Sequence, residues 1–115
     1  MHIKVKKRSE IAERVKELDK PVRGEKFEMI GVVSKGHEMQ VTAYTGYGRV
    51  MQLDVEINDA FGRAFNIITS NDKHRSVLRE AMESKRKIAF SGVVKWASDD
   101  GTRCKIGGRL NLQVL

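Results

Sequence analysis

Residues 88–114 read IAFSGVVKWASDDGTRCKIGGRLNLQV, and the fold is decided in this stretch. Ile88, Phe90, Gly92, Val94 and Trp96 alternate with Ala89, Ser91, Val93 and Lys95, the period of two that a half-buried strand requires. Asp99-Asp100-Gly101 is a hairpin turn signal. The returning strand runs through Cys104 and Ile106, breaks at Gly107-Gly108 and resumes with Leu110, Leu112 and Val114. Paired glycines inside a strand mark a bulge or a sharp bend, the device by which a sheet curls and closes.

The preceding segments add the rest of a small barrel. Ser70, Asn71 and Asp72 offer capping side chains to a helix ending near Ser84, with Val77, Leu78, Ala81 and Met82 as its apolar stripe. Lys85, Arg86 and Lys87 follow, where positive charge complements the helix dipole. Met51, Leu53, Val55 and Ile57 alternate cleanly, Asn58–Gly62 is turn-rich, and Phe65 and Ile67 continue in phase, so this is a hairpin. Phe27, Met29, Gly31 and Val33 share one face of an earlier strand. Between them, residues 35–48 are mixed. Lys35-Gly36 signals a turn, Met39-Val41-Ala43 alternates, and the segment is either a short extra strand, centred on 38–45, or a long loop. Phe27, Phe65 and Phe90 are expected in the core, whereas Phe61, within the turn, is a candidate for exposure.

The first 25 residues read as an N-terminal addition to a domain spanning 26–115. Ile3 and Val5 alternate with His2, Lys4 and Lys6 as an edge strand or basic arm, and Ile11, Val15 and Leu18 stripe an amphipathic helix over Ser9–Asp19, closed by Pro21 and Gly24. Three large apolar residues give that helix little packing of its own. It is expected to lean on the main body, on a second copy or on a protein partner.

The 115 residues carry 22 Lys+Arg against 15 Asp+Glu, a formal charge of +7. That length holds one domain with one modest core and excludes a two-lobed catalyst. No segment is apolar for long enough to span a bilayer and no export signal is evident, so no membrane association is expected. A single cysteine excludes an internal disulfide and a Cys-rich zinc site, which fits a reducing cytoplasm. The charge is uneven: +4 over residues 1–26, −2 over 27–69 and +5 over 70–115. Grouped cations such as Lys95, Arg103, Lys105 and Arg109 are what counterion release from a polyanion needs, although basic surfaces also serve simply to keep small proteins dispersed.

Three strands, a helix and a two-strand hairpin, with Gly31, Gly92 and Gly107-Gly108 placed for strong curvature, resemble the OB-fold. The resemblance implies a mainly β, α+β architecture. The expected barrel has five strands, or six if the extra strand forms, which would depart from the five of that family, with a helix between strands three and four that plugs one end; the N-terminal helix is an addition outside the resemblance. The resemblance further implies oligonucleotide binding on strands two and three and on the loops joining strands one to two and four to five. The first loop would be Lys35–Gly48, carrying His37, Tyr44 and Tyr47 with Arg49 at its edge. The second would be Ala97–Thr102, flanked by Lys95, Trp96, Arg103 and Lys105. Tyr44 and Tyr47 flank Gly46, where solvent-facing phenols are tolerated and can stack bases. Trp96, in phase with Ile88, Phe90 and Val94, is expected to close the core at a barrel mouth, with base stacking as the alternative.

Catalytic constellations are missing from the sequence. His2, His37 and His74 stand apart without metal-ligand spacing, Cys104 falls in the buried phase of its strand as an inert thiol, and neither GxxxxGK[ST] nor GxGxxG occurs. The expectation is a cofactor-free, non-catalytic module for single-stranded or irregular nucleic acid with low sequence specificity. Lys35, Arg49, Lys95, Arg103, Lys105 and Arg109 would supply cations, and Tyr44, Tyr47 and Trp96 the flat rings. The alternative is a protein-interaction or dimerisation barrel docking through Ile11, Val15 and Leu18.

Overall fold

The computed structural model describes residues 20–115. The predicted arm and helix, with Ile11, Val15 and Leu18, lie outside the described residues. Five strands, β1 (Lys26–Thr42), β2 (Arg49–Asp59), β3 (Ala64–Thr69), β4 (Lys87–Ala97) and β5 (Arg103–Val114), surround one core, with α1 (Asp72–Ser84) between β3 and β4. They close in the order β1-β2-β3-β5-β4 and back to β1. Every neighbouring pair is antiparallel except β3 and β5, which run parallel.

Closure depends on β1, whose 17 residues serve two partners. Lys26–Val32 pairs with β4, and Gly31–Thr42 pairs with β2. At the crossover, Gly31 faces Asp59 on one side and Ile88 on the other, and a Cβ there would stand 2.6 Å from the Asn58 carbonyl oxygen. Only hydrogen fits that approach. A register shift follows between Val33 and Lys35, and Ser34 at the shift donates its hydroxyl to the Glu56 carbonyl at 3.2 Å. Such a bulge bends its strand and increases its twist.

The sixth strand and the long Lys35–Gly48 loop are therefore both corrected. Lys35-Gly36, read as a turn, lies just beyond the bulge inside one continuous strand, and the β1–β2 loop is only residues 43–48. On the neighbouring strand β4, Gly92 meets a similar limit, since a Cβ would fall 2.6 Å from Ile106 Cγ2 and 2.8 Å from the Gly107 carbonyl oxygen.

The inward phase of each strand is the apolar one. Leu53, Val55, Ile57, Phe65, Ile67, Ile88, Phe90, Val94, Cys104 and Ile106 are buried together, with Leu78 and Ala81 of α1 covering one end. Within the predicted trio of capping residues, Asn71 is the N-cap, its side-chain oxygen accepting the His74 N–H at 3.0 Å. Lys85 ends the helix in the left-handed region at φ 55°, donating its N–H to the Met82 carbonyl.

The other end is held by a group that the sequence reading passed over. Arg63 is buried, its Nε donating to Asp59 Oδ2 at 2.6 Å, while Asp59 Oδ1 accepts the N–H groups of Phe61 at 3.0 Å and Arg63 at 2.8 Å. The guanidinium carbon lies 5.5, 5.8 and 5.6 Å from the ring centroids of Phe27, Phe61 and Phe65. Phe61 is accordingly half-buried against this cation and is not a free surface ring. An ion pair taken this far out of water gains little over apolar packing, but removing one partner strands a charge. Asp59→Asn keeps an acceptor for the turn and is expected to cost about 3–5 kcal/mol in urea unfolding. Adding Arg63→Met should recover part of that loss, and a double variant no more stable than the single one would contradict the stranded-charge account.

Candidate nucleic-acid interface

The outward phase of the strands is polar, and the register aligns part of it in a row around the barrel wall. Lys35 pairs with Glu56, Glu56 with Asn66, Asn66 with Lys105 and Lys105 with Trp96, one residue from each of the five strands. Side chains in such a row stand on one face, with adjacent strands about 4.8 Å apart. Arg103, two residues from Lys105 on β5, shares that face and reaches toward β2, its guanidinium 3.9 Å from the Glu56 carboxylate. Glu56, Ala64, Asn66, Trp96, Arg103 and Lys105 line a groove of about 310 Å³. A second depression runs from Trp96 and Arg103 along the β4–β5 turn to Ser98, Asp99 and Asp100.

Trp96 is 48% exposed, so the expectation that it closes the core is corrected. The register slips between Val94 and Trp96, making Lys95 the extra residue of a bulge. Beyond that slip the inward phase that holds Ile88, Phe90 and Val94 no longer applies to the indole. Lys95 is also exposed, and its aliphatic stem lies over bare glycine backbone: a Cβ on Gly107 would meet Lys95 Cγ at 3.1 Å. The β4–β5 turn itself is fixed by Asp100 Oδ1, which accepts from the hydroxyls of Ser98 and Thr102, each at 2.7 Å.

Two other groups of predicted residues stand apart. Tyr44, Tyr47 and Arg49 occupy the exposed tip of the β1–β2 hairpin, both phenols almost wholly in solvent. From Glu56 to Arg49 is seven strand residues, or roughly 23 Å at about 3.3 Å each. Met39, Val50 and Ile68 are exposed between the tip and the groove, on the same outward phase as Glu56 and Asn66. Arg109 lies in the unpaired stretch of β5 between Gly107 and Asn111, exposed and away from the row. The structure thus assembles Trp96, Arg103 and Lys105, sets Lys95 next to Trp96 and Lys35 against Glu56 at the far end of the row, and leaves Tyr44, Tyr47, Arg49 and Arg109 outside.

Glu56 and Asn66 are the groove residues that sequence reasoning missed. Asn66 is fixed: its amide nitrogen donates to Asp54 Oδ1 at 2.5 Å and to the Val55 carbonyl at 3.0 Å. Two acceptors on that side require the nitrogen there, so the amide oxygen points elsewhere and accepts no hydrogen bond among the described residues. The outward polar phase of β2 and β3 was the available signal, but the strand across from it could not be read locally.

Several other cations are already engaged. Glu38 on β1 accepts from Arg75 at 2.9 Å and Arg79 at 2.5 Å, and Arg75 also pairs with Asp72, so these guanidiniums clamp α1 to the hairpin. Their hydrogen bonds, that of Arg75 foremost, hold the Glu38 carboxyl below its ordinary range against some loss of hydration. Cys104 at the back of the groove is buried, and desolvation pushes its thiol up to about 11, with the charge of Arg63 opposing. Among the described residues no group of His, Cys, Asp and Glu is placed to hold a metal ion, and no helix is long and apolar enough to cross a membrane.

No protein-family profile and no curated sequence matches the chain. A solved structure of a replication protein A heterotrimer bound to single-stranded DNA is similar, with a TM-score of 0.55 at 11% identity. The likeness covers 99% of this chain and about a quarter of that one, 25%. Closed five-stranded connectivity, the end-capping helix and this likeness identify the fold as an OB-like barrel.

Two outcomes follow from these environments. A carboxyl with a depressed folded pKa stabilises fully above its unfolded value, and loses that contribution as the pH falls through the folded value. The stability gap between the parent chain and Glu38→Gln is therefore expected near pH 7 and should close below the ordinary carboxylate range; a gap constant down to pH 3 would exclude the ion pair as its source. For Cys104, a disulfide reagent at pH 8 should label the native chain at least about a hundredfold more slowly than the urea-unfolded chain, because only the thiolate reacts. Equal rates would place the thiol at the surface.

Proposed function

We propose that this chain is a non-catalytic module that binds single-stranded nucleic acid with low overall sequence specificity. The observation that carries the reading is Trp96, a large ring left half in water beside Arg103 and Lys105 in a groove on the barrel wall. Single strands offer flat bases and regularly spaced phosphates, and the groove offers a stacking surface and two cations within one row and its neighbour. Lys35 and Lys95 extend the positive margin. The exposed apolar side chains of Met39, Val50 and Ile68 and the tyrosines at the hairpin tip give further surface along which bases can lie. Support of a different kind comes from the similar structure, that of a replication protein A heterotrimer bound to single-stranded DNA.

Duplex DNA fits this wall less well. Its bases are already stacked on one another and leave no π-face for the indole. Fluorescence anisotropy with a mixed-sequence single strand at low salt should give micromolar or tighter binding, weakening linearly in log salt. Replacing Arg103 and Lys105 with Ala should lower that slope by about 1.4, from about 0.7 per phosphate on single strands. Trp96→Ala should weaken every sequence by about 1–3 kcal/mol without changing the slope. Absence of binding at micromolar concentrations in low salt would overturn the proposal.

A further inference from the structure

We infer that the groove is selective at one nucleotide position, where it takes guanine, and that Glu56 is the residue that selects it. The inference rests on the single-strand reading above and deepens it. A surface built only to hold phosphates would exclude carboxylates, yet this groove has Glu56 in its wall, its side chain 26% accessible and facing Arg103 at 3.9 Å. Beside it, the fixed Asn66 amide turns its oxygen away from Asp54 and Val55. One wall of the groove is therefore formed by the Glu56 carboxylate with the Asn66 side chain beside it, and the other by the Trp96 indole with the cations of Arg103 and Lys105.

The four bases differ in what they offer to such a wall. Guanine carries two adjacent donors, N1–H and the N2 amino group, spaced to meet the two oxygens of one carboxylate. Adenine and cytosine bring one amino group with an acceptor beside it, which faces the carboxylate unfavourably. Thymine has a single N–H between two carbonyls, and both carbonyls would be turned toward Glu56. The Ser34 hydroxyl shares its one hydrogen between the Glu56 carbonyl at 3.2 Å and Glu56 Oε2 at 3.3 Å, which leaves the carboxylate lone pairs to accept more. About 310 Å³ lies at the lower end of small-ligand sites of roughly 300–1,000 Å³, suited to one base and not to a stack of them.

The test compares an 11-mer of thymidine with the same strand carrying one central guanosine, by anisotropy on the full 115-residue chain. The guanosine strand should bind about tenfold tighter, the range of a bidentate base contact. Inosine in its place, lacking the N2 amino group, should lose most of that advantage. Glu56→Gln should move the two strands in opposite directions: guanosine binding weakens because one acceptor oxygen is gone, and thymidine binding strengthens because a negative charge has left the phosphate track. Circular dichroism checks that the variant is folded, and Asn66→Ala provides a second, charge-neutral substitution expected to reduce the guanosine preference alone. Equal binding of the two strands, or Glu56→Gln shifting both alike, overturns the guanine assignment and leaves the single-strand reading standing. No binding by either strand overturns both.

Discussion

A five-stranded sheet becomes a barrel here because one strand is long enough, and bare enough at one residue, to pair with two different neighbours. Gly31 is where β1 passes from β4 to β2, and a Cβ there would stand only 2.6 Å from the Asn58 carbonyl oxygen, which leaves no room for a side chain. Closure at that seam also fixes the opposite one, the parallel pairing of β3 with β5. Without it Asn66 and Lys105 would not be neighbours, and the acceptors of β2 and β3 would not face the cations of β5. The groove is thus a consequence of closure and not of any local motif.

The two ends of the barrel are finished by different physics. At one end α1 buries Leu78 and Ala81, an apolar contribution of roughly 1.5–3 kcal/mol for the leucine alone, and Glu38 orients the helix through Arg75 and Arg79. At the other, Arg63 does with a buried cation what a leucine would do more cheaply. Its ion pair and the Asp59 turn hold the guanidinium among the rings of Phe27, Phe61 and Phe65.

How much of this was legible in the sequence follows from the range of the forces involved. Strand phase, the capping of α1 somewhere within Ser70-Asn71-Asp72 and the burial of Cys104 are local and were readable from period and spacing. So was the need for glycine at positions 31 and 92, because curvature leaves its mark on composition. The errors sit at bulges. Lys35-Gly36 looked like a turn because a bulge uses the same residues, and Trp96 looked buried because a period of two assumes that no residue is inserted before it. Arg63 was invisible because its partners are the turn it closes and rings from two strands. Glu56 and Asn66 looked like ordinary solvent-facing residues, since pairing with β5 is set by the closed topology alone.

The uneven charge of the sequence acquires a geometric meaning in this arrangement. Residues 27–69, with a net −2, build β1 to β3, and residues 70–115, with a net +5, build α1, β4 and β5. Where β3 meets β5 these halves touch, so the groove lies along an electrostatic seam. A neutral or single-sign ligand would gain on one wall and lose on the other. A nucleotide is itself divided, anionic along its backbone and rich in N–H donors on certain base edges. In the proposed complex it would satisfy both walls in one orientation, phosphates over Arg103 and Lys105 and base edge toward Glu56. On that proposal, the carboxylate that weakens a generic polyanion site would be the feature that orients the strand.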